Sequence, residues 1–258
     1  MKKIPMAKDT NLEVLARGTP GMSGADLNNL VNQAALRASI SGAKAVDHAA
    51  LEYAKDKILM GAERRSAVIS PETARMTAYH EGGHALVALK TSGADPVHKA
   101  TIMPRGQALG MVMQLPDGDQ TSLSRKQMLA RMDVCMGGRV AEEIIFGEDE
   151  VTSGASSDIQ QATSLARSMV TKWGMSEEVG VVYHGKDDQC PETRAMIDRE
   201  VQKLLTASYS RAKAILETHR KDLDTIAKGL IENETLTGSE LRDLLAGKKV
   251  PEKSSIAA

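Results

Sequence analysis

Aromatic side chains are almost missing from this sequence of 258 residues, which holds one Phe, one Trp and four Tyr. A core without rings has to be built from Ala, Leu, Ile, Val and the 14 Met, residues that suit helices better than strands, so a mainly α protein is expected. Cysteine is scarce as well. Cys135 and Cys190 are too few for a disulfide framework and neither belongs to a CxxC cluster; Cys135, in an apolar run, reads as a small buried hydrophobe. No apolar run approaches the roughly 20 residues that span a bilayer, and the start, Met1-Lys2-Lys3-Ile4-Pro5, has no signal-peptide core. The chain as given is therefore expected to be soluble, whatever a longer parent carries. A formal net charge of −1 removes the general pull toward nucleic acid or anionic lipid, so no nucleic-acid partner is expected.

What is present is an ordinary globular balance, 41% hydrophobic and 26% charged, in a length that accommodates one large or two small domains. Residues 11–60 read as three helices, Asn11 to Arg17, Ser23 to about Ser41 and Val46 to Met60, the first break falling at Gly18-Thr19-Pro20-Gly21. Leu27, Leu30, Val31, Ala34 and Ala35 recur on one face of the second. A charged stretch at 61–66 reads as a linker. Ser70 caps a new helix with Pro71 at its first position, where the missing N–H costs nothing. Residues 98–103 and 110–114, joined across Pro104-Arg105-Gly106, read as short strands. Ser124 and Gln127 make a capping box for a helix to Ile145, whose Met128, Met132 and Met136 mark a core stripe. Further helices are expected from about Asp158 to Lys172, Pro191 to Thr218, Arg220 to Ile231 and Ser239 to Leu245, followed by a disordered tail over 248–258.

The chemistry lies at His80-Glu81-Gly82-Gly83-His84. Four residues apart on a helix, His80 and His84 present two imidazoles to one ion, while Glu81 is swung about 100° from His80 and reaches the water beside the ion rather than the ion. Glu81 can then serve as the general base of a zinc peptidase. Gly82 and Gly83 each cost about 1 kcal/mol relative to alanine in a helix interior. The compensation is either close packing alone or a substrate strand or neighbouring element approaching the backbone. A catalytic zinc needs a third protein ligand, and Glu142, Glu143 and Asp158 all remain candidates by spacing. His48, His98, His184 and His219 stand alone and are assigned no role.

The motif His80-Glu81-Gly82-Gly83-His84-Ala85-Leu86-Val87 resembles that of the FtsH family of membrane-anchored, ATP-dependent AAA proteases. Met103-Pro104-Arg105-Gly106, Gly137-Gly138-Arg139-Val140-Ala141-Glu142-Glu143 and Val151-Thr152-Ser153-Gly154-Ala155-Ser156-Ser157-Asp158 follow in the family's order. The resemblance implies that Asp158 completes a site for Zn2+ with His80 and His84, leaving Glu142 and Glu143 structural or outer-shell roles. Gly18-Thr19-Pro20-Gly21-Met22-Ser23-Gly24-Ala25-Asp26-Leu27 is similar to the end of an AAA module, so residues 1–66 are expected to form its helical lid, with Gly24 and Ala25 near the nucleotide, and 67–247 the peptidase domain. No GxxxxGK[ST] phosphate loop occurs, so ATP is expected to be a cofactor of the full-length protein only. The implied partners are polypeptide substrates and a homo- or hetero-hexamer, with membrane attachment through segments outside this chain. The wording of the middle segment is closest to organellar i-AAA-type members. The mitochondrial inner membrane is the leading location, with a chloroplast membrane or bacterial plasma membrane as alternatives. A different function class is a hexamer-forming assembly module with a structural metal.

Overall fold

In a computed structural model, residues 4–250 are described apart from Asp9, Arg65, Gln107, Asp117, Asp119, Thr121 and 186–189. Most of the expected tail, 251–258, lies outside the described residues. The chain divides into two compact units: residues 1–68 with 103–109 and 115–119, and residues 69–102 with 110–114 and 120–258.

The first unit holds α1 (Leu12–Arg17), α2 (Gly24–Ile40) and α3 (His48–Met60). Each begins at a side-chain cap that satisfies otherwise orphaned backbone N–H groups. Asn11 accepts from Glu13 and Val14, Ser23 forms a capping box with Asp26, and Asp47 accepts from Ala50. Val46 does not start α3 as the sequence suggested. It bridges Met6 instead, and the β-like backbone of Asp47 is what lets that residue cap the helix. Leu30, Ala34, Leu51 and Ala54 fill the core, whereas Leu27, expected on that face, is 41% exposed.

The second unit is mainly α around a small antiparallel sheet. It runs through α4 (Pro71–Lys90), β1 (Val97–Thr101), β2 (Met111–Gln114) and α5 (Arg125–Phe146) to α6 (Ser156–Thr171), with a 3-10 turn at Ser153–Ala155 leading into α6. Then follow α7 (Pro191–Thr218), α8 (Arg220–Asn233), β3 (Thr235–Thr237) and α9 (Gly238–Leu245). The sheet order is β2-β1-β3, with Ala100 opposite both Val112 and Leu236. The first two strands are shorter than the sequence suggested, and the third was not expected. Met128, Met132 and Met136 are buried, so the methionine stripe is core, joined by Leu86, Met169, Ile197, Leu216 and Leu230.

The Gly82-Gly83 pair is explained by neighbouring helices. A Cβ on Gly83 would sit 2.3 Å from the Gly137 carbonyl oxygen and 2.7 Å from Ala141 Cβ, so α4 and α5 cross backbone to backbone. Gly82 faces α8, where a Cβ would meet Ile226 Cγ2 and Leu223 Cδ1 at 3.4 Å. Both glycines are buried, which removes the idea of a substrate strand at this face. Gly83→Ala is therefore expected to lower unfolding free energy by about 2 kcal/mol or more, since overpacking against main chain outweighs the roughly 1 kcal/mol of helix propensity gained. Gly82→Ala meets the Ile226 and Leu223 methyls at 3.4 Å and the Ala227 backbone nitrogen at 3.8 Å, ordinary contact distances, and should be close to neutral. Urea unfolding of the two variants checks this; equal stabilities would refute it.

Candidate metal centre

The Ser70 cap and Pro71 start α4 ten residues before the motif, so His80 and His84 fall on well-formed helix and share one face. Asp158 arrives from the first turn of α6. The structure brings these three together: the two Nε2 atoms are 3.2 Å apart, and Asp158 Oδ2 lies 3.5 Å from His80 Nε2 and 3.4 Å from His84 Nε2. A tetrahedral ion about 2.0–2.1 Å from each donor sets donor separations of about 3.3 Å, so the triangle has the size that zinc requires. The other ring nitrogens are committed. His80 Nδ1 donates to Glu142 Oε1 at 2.7 Å and His84 Nδ1 donates to the Val134 carbonyl at 2.6 Å, which leaves both Nε2 lone pairs aimed at the common point.

Space for an ion comes from a second glycine pair. A Cβ on Gly138 would lie 2.6 Å from both His80 Nε2 and His84 Nε2, so only glycine fits on α5 at this point. Glu81 is 6% exposed and lies against the chain at the start of β2, where a Cβ on Gly110 would be 2.7 Å from Glu81 Oε1. The Val134 carbonyl was not singled out by sequence reasoning, since a backbone carbonyl has no side-chain signature, and Gly110 was read only as the first residue of a strand, with no place at the site.

Three carboxylates, Glu81, Glu142 and Asp158, surround two imidazoles in this buried corner, a surplus of negative charge that suits a cation. The electrostatics follow. Burial opposes charge on His80, but hydrogen bonds to Asp158 and Glu142 and the charge of Glu81 outweigh it, and without an ion its pKa is raised to about 10, so that a cation binding at Nε2 takes the place of a proton there. Burial pushes Glu81 up against the lowering effect of His84 and His80. Burial also opposes ionisation of Asp158, yet both imidazoles hold its carboxyl well below the usual range. Cys135 is pushed up to about 11, chiefly by burial and also by the Asp158 charge, which leaves it an inert thiol.

The rival carboxylates are engaged elsewhere. Glu142 stands on the Nδ1 side of His80 and accepts from the Thr152 N–H at 2.7 Å. Glu143 accepts from Tyr209 and, at 2.9 Å, from Lys213. Gly24 and Ala25 form the exposed first turn of α2 in the first unit.

The comparisons with known proteins divide along the same chain. Residues 67–244 match the model for peptidase family M41 and residues 9–53 that for an AAA+ lid domain. The chain is 54% identical over 249 residues to the ATP-dependent zinc metalloprotease FTSH 11, chloroplastic/mitochondrial, of Arabidopsis thaliana, covering 96% of this chain and 31% of that protein. It is 52% identical over 261 residues to the ATP-dependent zinc metalloprotease FtsH of Caulobacter vibrioides, covering 96% and 42%. Identity to the ATP-dependent zinc metalloprotease YME1L1 of Mus musculus is 52% over 251 residues, covering 97% and 35%. The chain thus spans between 31% and 42% of the length of these relatives, and among the described residues no helix is long and apolar enough to cross a membrane. Because the M41 match takes in α4, α5 and α6 together with most of the second unit, this chain belongs to peptidase family M41.

Proposed function

We propose that this chain is the zinc endopeptidase portion of a membrane-anchored, ATP-dependent ring protease that hydrolyses unfolded or membrane polypeptides for quality control. Residues 67–247 form the peptidase domain and residues 1–66 the helical lid of an AAA module, whose Gly24 and Ala25 approach the nucleotide in the complete protein. The observation that carries the reading is the donor triangle of His80, His84 and Asp158, with Glu81 next to it in the chain.

In this reading His80 and His84 bind zinc through Nε2 and Asp158 through a carboxylate oxygen. The chemistry that such an ion supplies is Lewis acidity, which polarises a carbonyl and brings the pKa of a water toward about 7. Glu81 takes the proton of the attacking water at its carboxylate and returns it to the departing amine. Glu142 and the Val134 carbonyl hold the imidazoles in the tautomer that leaves Nε2 free. Three protein donors and one open position are the arrangement of a catalytic zinc; a structural one closes with four, which disfavours the assembly-module alternative. An extended substrate adding along β2, on the side of that strand away from β1, would run close to Glu81 and be held by main-chain bonds, giving low sequence preference.

Assembly into a homo- or hetero-hexamer and attachment to an organellar or bacterial membrane, the mitochondrial inner membrane first among them, belong to the same proposal. An organellar or bacterial setting agrees with the plant relative's printed location, chloroplastic/mitochondrial, and with the occurrence of a relative in Caulobacter vibrioides. The purified chain is expected to hold about one zinc. Its cleavage of a casein-type substrate should stop when a chelator strips the metal and return with one equivalent added back. Cleavage that persists in the metal-free chain would sink the reading.

A further inference from the structure

Glu142 is 1% exposed, and its carboxylate accepts from two directions. His80 Nδ1 donates to Oε1 at 2.7 Å, while Thr152 supplies its backbone N–H to Oε2 at 2.7 Å and its hydroxyl to Oε1 at 3.2 Å. The same hydroxyl oxygen accepts the Gly154 N–H at 3.2 Å and so caps the 3-10 turn Ser153–Ala155, which runs without a break into α6 and its first-turn Asp158. One hydroxyl with one proton and available lone pairs can do both: it donates to Glu142 and receives from Gly154. The polarity is continuous from the Gly154 N–H through Oγ1 to the carboxylate that also receives the imidazole proton, and such chains reinforce one another in a buried setting. Ala155, buried at 1% exposure, anchors the other side of the turn.

We infer that Thr152 is a positioning residue for the metal centre, its hydroxyl setting two donors at once: His80 through the Glu142 carboxylate, and Asp158 through the capped turn that aims α6. This rests on the reading of His80, His84 and Asp158 as zinc ligands. It adds that a side chain lying outside the ligand triangle couples the two halves of the site, which come from α4 and α6. The backbone N–H bond to Glu142 survives any substitution except proline, so removing the hydroxyl perturbs alignment without dismantling the site.

The test is zinc affinity by competition with a chromophoric chelator, on wild type, Thr152→Val, Thr152→Ala, Thr152→Ser and Asp158→Ala, with thermal unfolding of each metal-free form. Valine keeps the methyl and volume but loses the hydroxyl, and outer partners of metal ligands are worth about 10–100-fold in affinity. Val and Ala are expected to weaken zinc binding at least about tenfold, and Ser to restore it to within about threefold of wild type, with metal-free unfolding temperatures close together. Affinity retained by Val, or lost equally by Ser, would overturn the role of the hydroxyl while leaving the ligand set in place. Zinc held by Asp158→Ala as tightly as by wild type would overturn the ligand reading, and this inference with it.

Discussion

Glu81→Gln is expected to leave zinc content unchanged and to lower the turnover of an unfolded substrate by about 10²–10⁴-fold or more, the worth of a positioned general base. The substitution is nearly isosteric, which matters because the carboxylate lies against the chain at Gly110 and has no room to expand. It removes the proton acceptor while leaving His80 and His84, the donors of the ion, untouched. Loss of the two properties therefore separates: metal analysis should read about one zinc per chain in both forms, and only cleavage should differ. Substrate affinity is expected to change little, so the deficit belongs in kcat rather than KM. Wild-type turnover by the Gln form would show that another group moves the proton.

Asp158→Ala is expected to release zinc on mild dialysis, with an affinity loss well beyond the roughly 100-fold ceiling typical of an outer-shell partner. Two imidazoles on one helix then remain as the only protein donors of the triangle. Glu142→Gln provides the contrast. Its amide can still accept from one side, but its NH2 group must face either the Thr152 N–H or the His80 Nδ1–H, both of which are donors, so one hydrogen bond is lost and a mismatch introduced. A loss of about 10–100-fold is expected there, and less for Glu143→Gln, whose partners are Tyr209 and Lys213. Competition titrations order the three variants. An experimental structure with a glutamate oxygen at about 2.0–2.2 Å from zinc and Asp158 remote would reverse the assignment.

Much of the helical frame was legible because helix starts are written locally. The capping box at Ser124–Gln127 and the Ser70-Pro71 start depend on residues within one turn, and the structure has both of them. The strand Thr235–Thr237 was not legible, since three residues become a strand only by pairing with β1 far back in the chain. Val46 was misread for a related reason, its partner being Met6. At the site, His80, Glu81 and His84 follow from helical spacing alone. Spacing left Asp158 level with Glu142 and Glu143, and only the family resemblance separated them. Gly82-Gly83 and Gly137-Gly138 carried a signal that went unjoined: two glycine pairs, each costly inside its own helix, are mutually explained by a crossing at Gly83 and Gly137.

That crossing also sets an order of assembly. His80 and His84 can share an ion as soon as α4 is helical, because both lie within a single turn of it. Asp158 can join them only after α5 has been laid against α4 and the chain has passed through the 153–155 turn into α6. Contacts of high sequence separation bear their loop-closure entropy before they return any stability. The complete set of three donors therefore exists only once α4, α5 and α6 are packed together, so tight metal binding reports the finished fold whereas the two imidazoles alone do not.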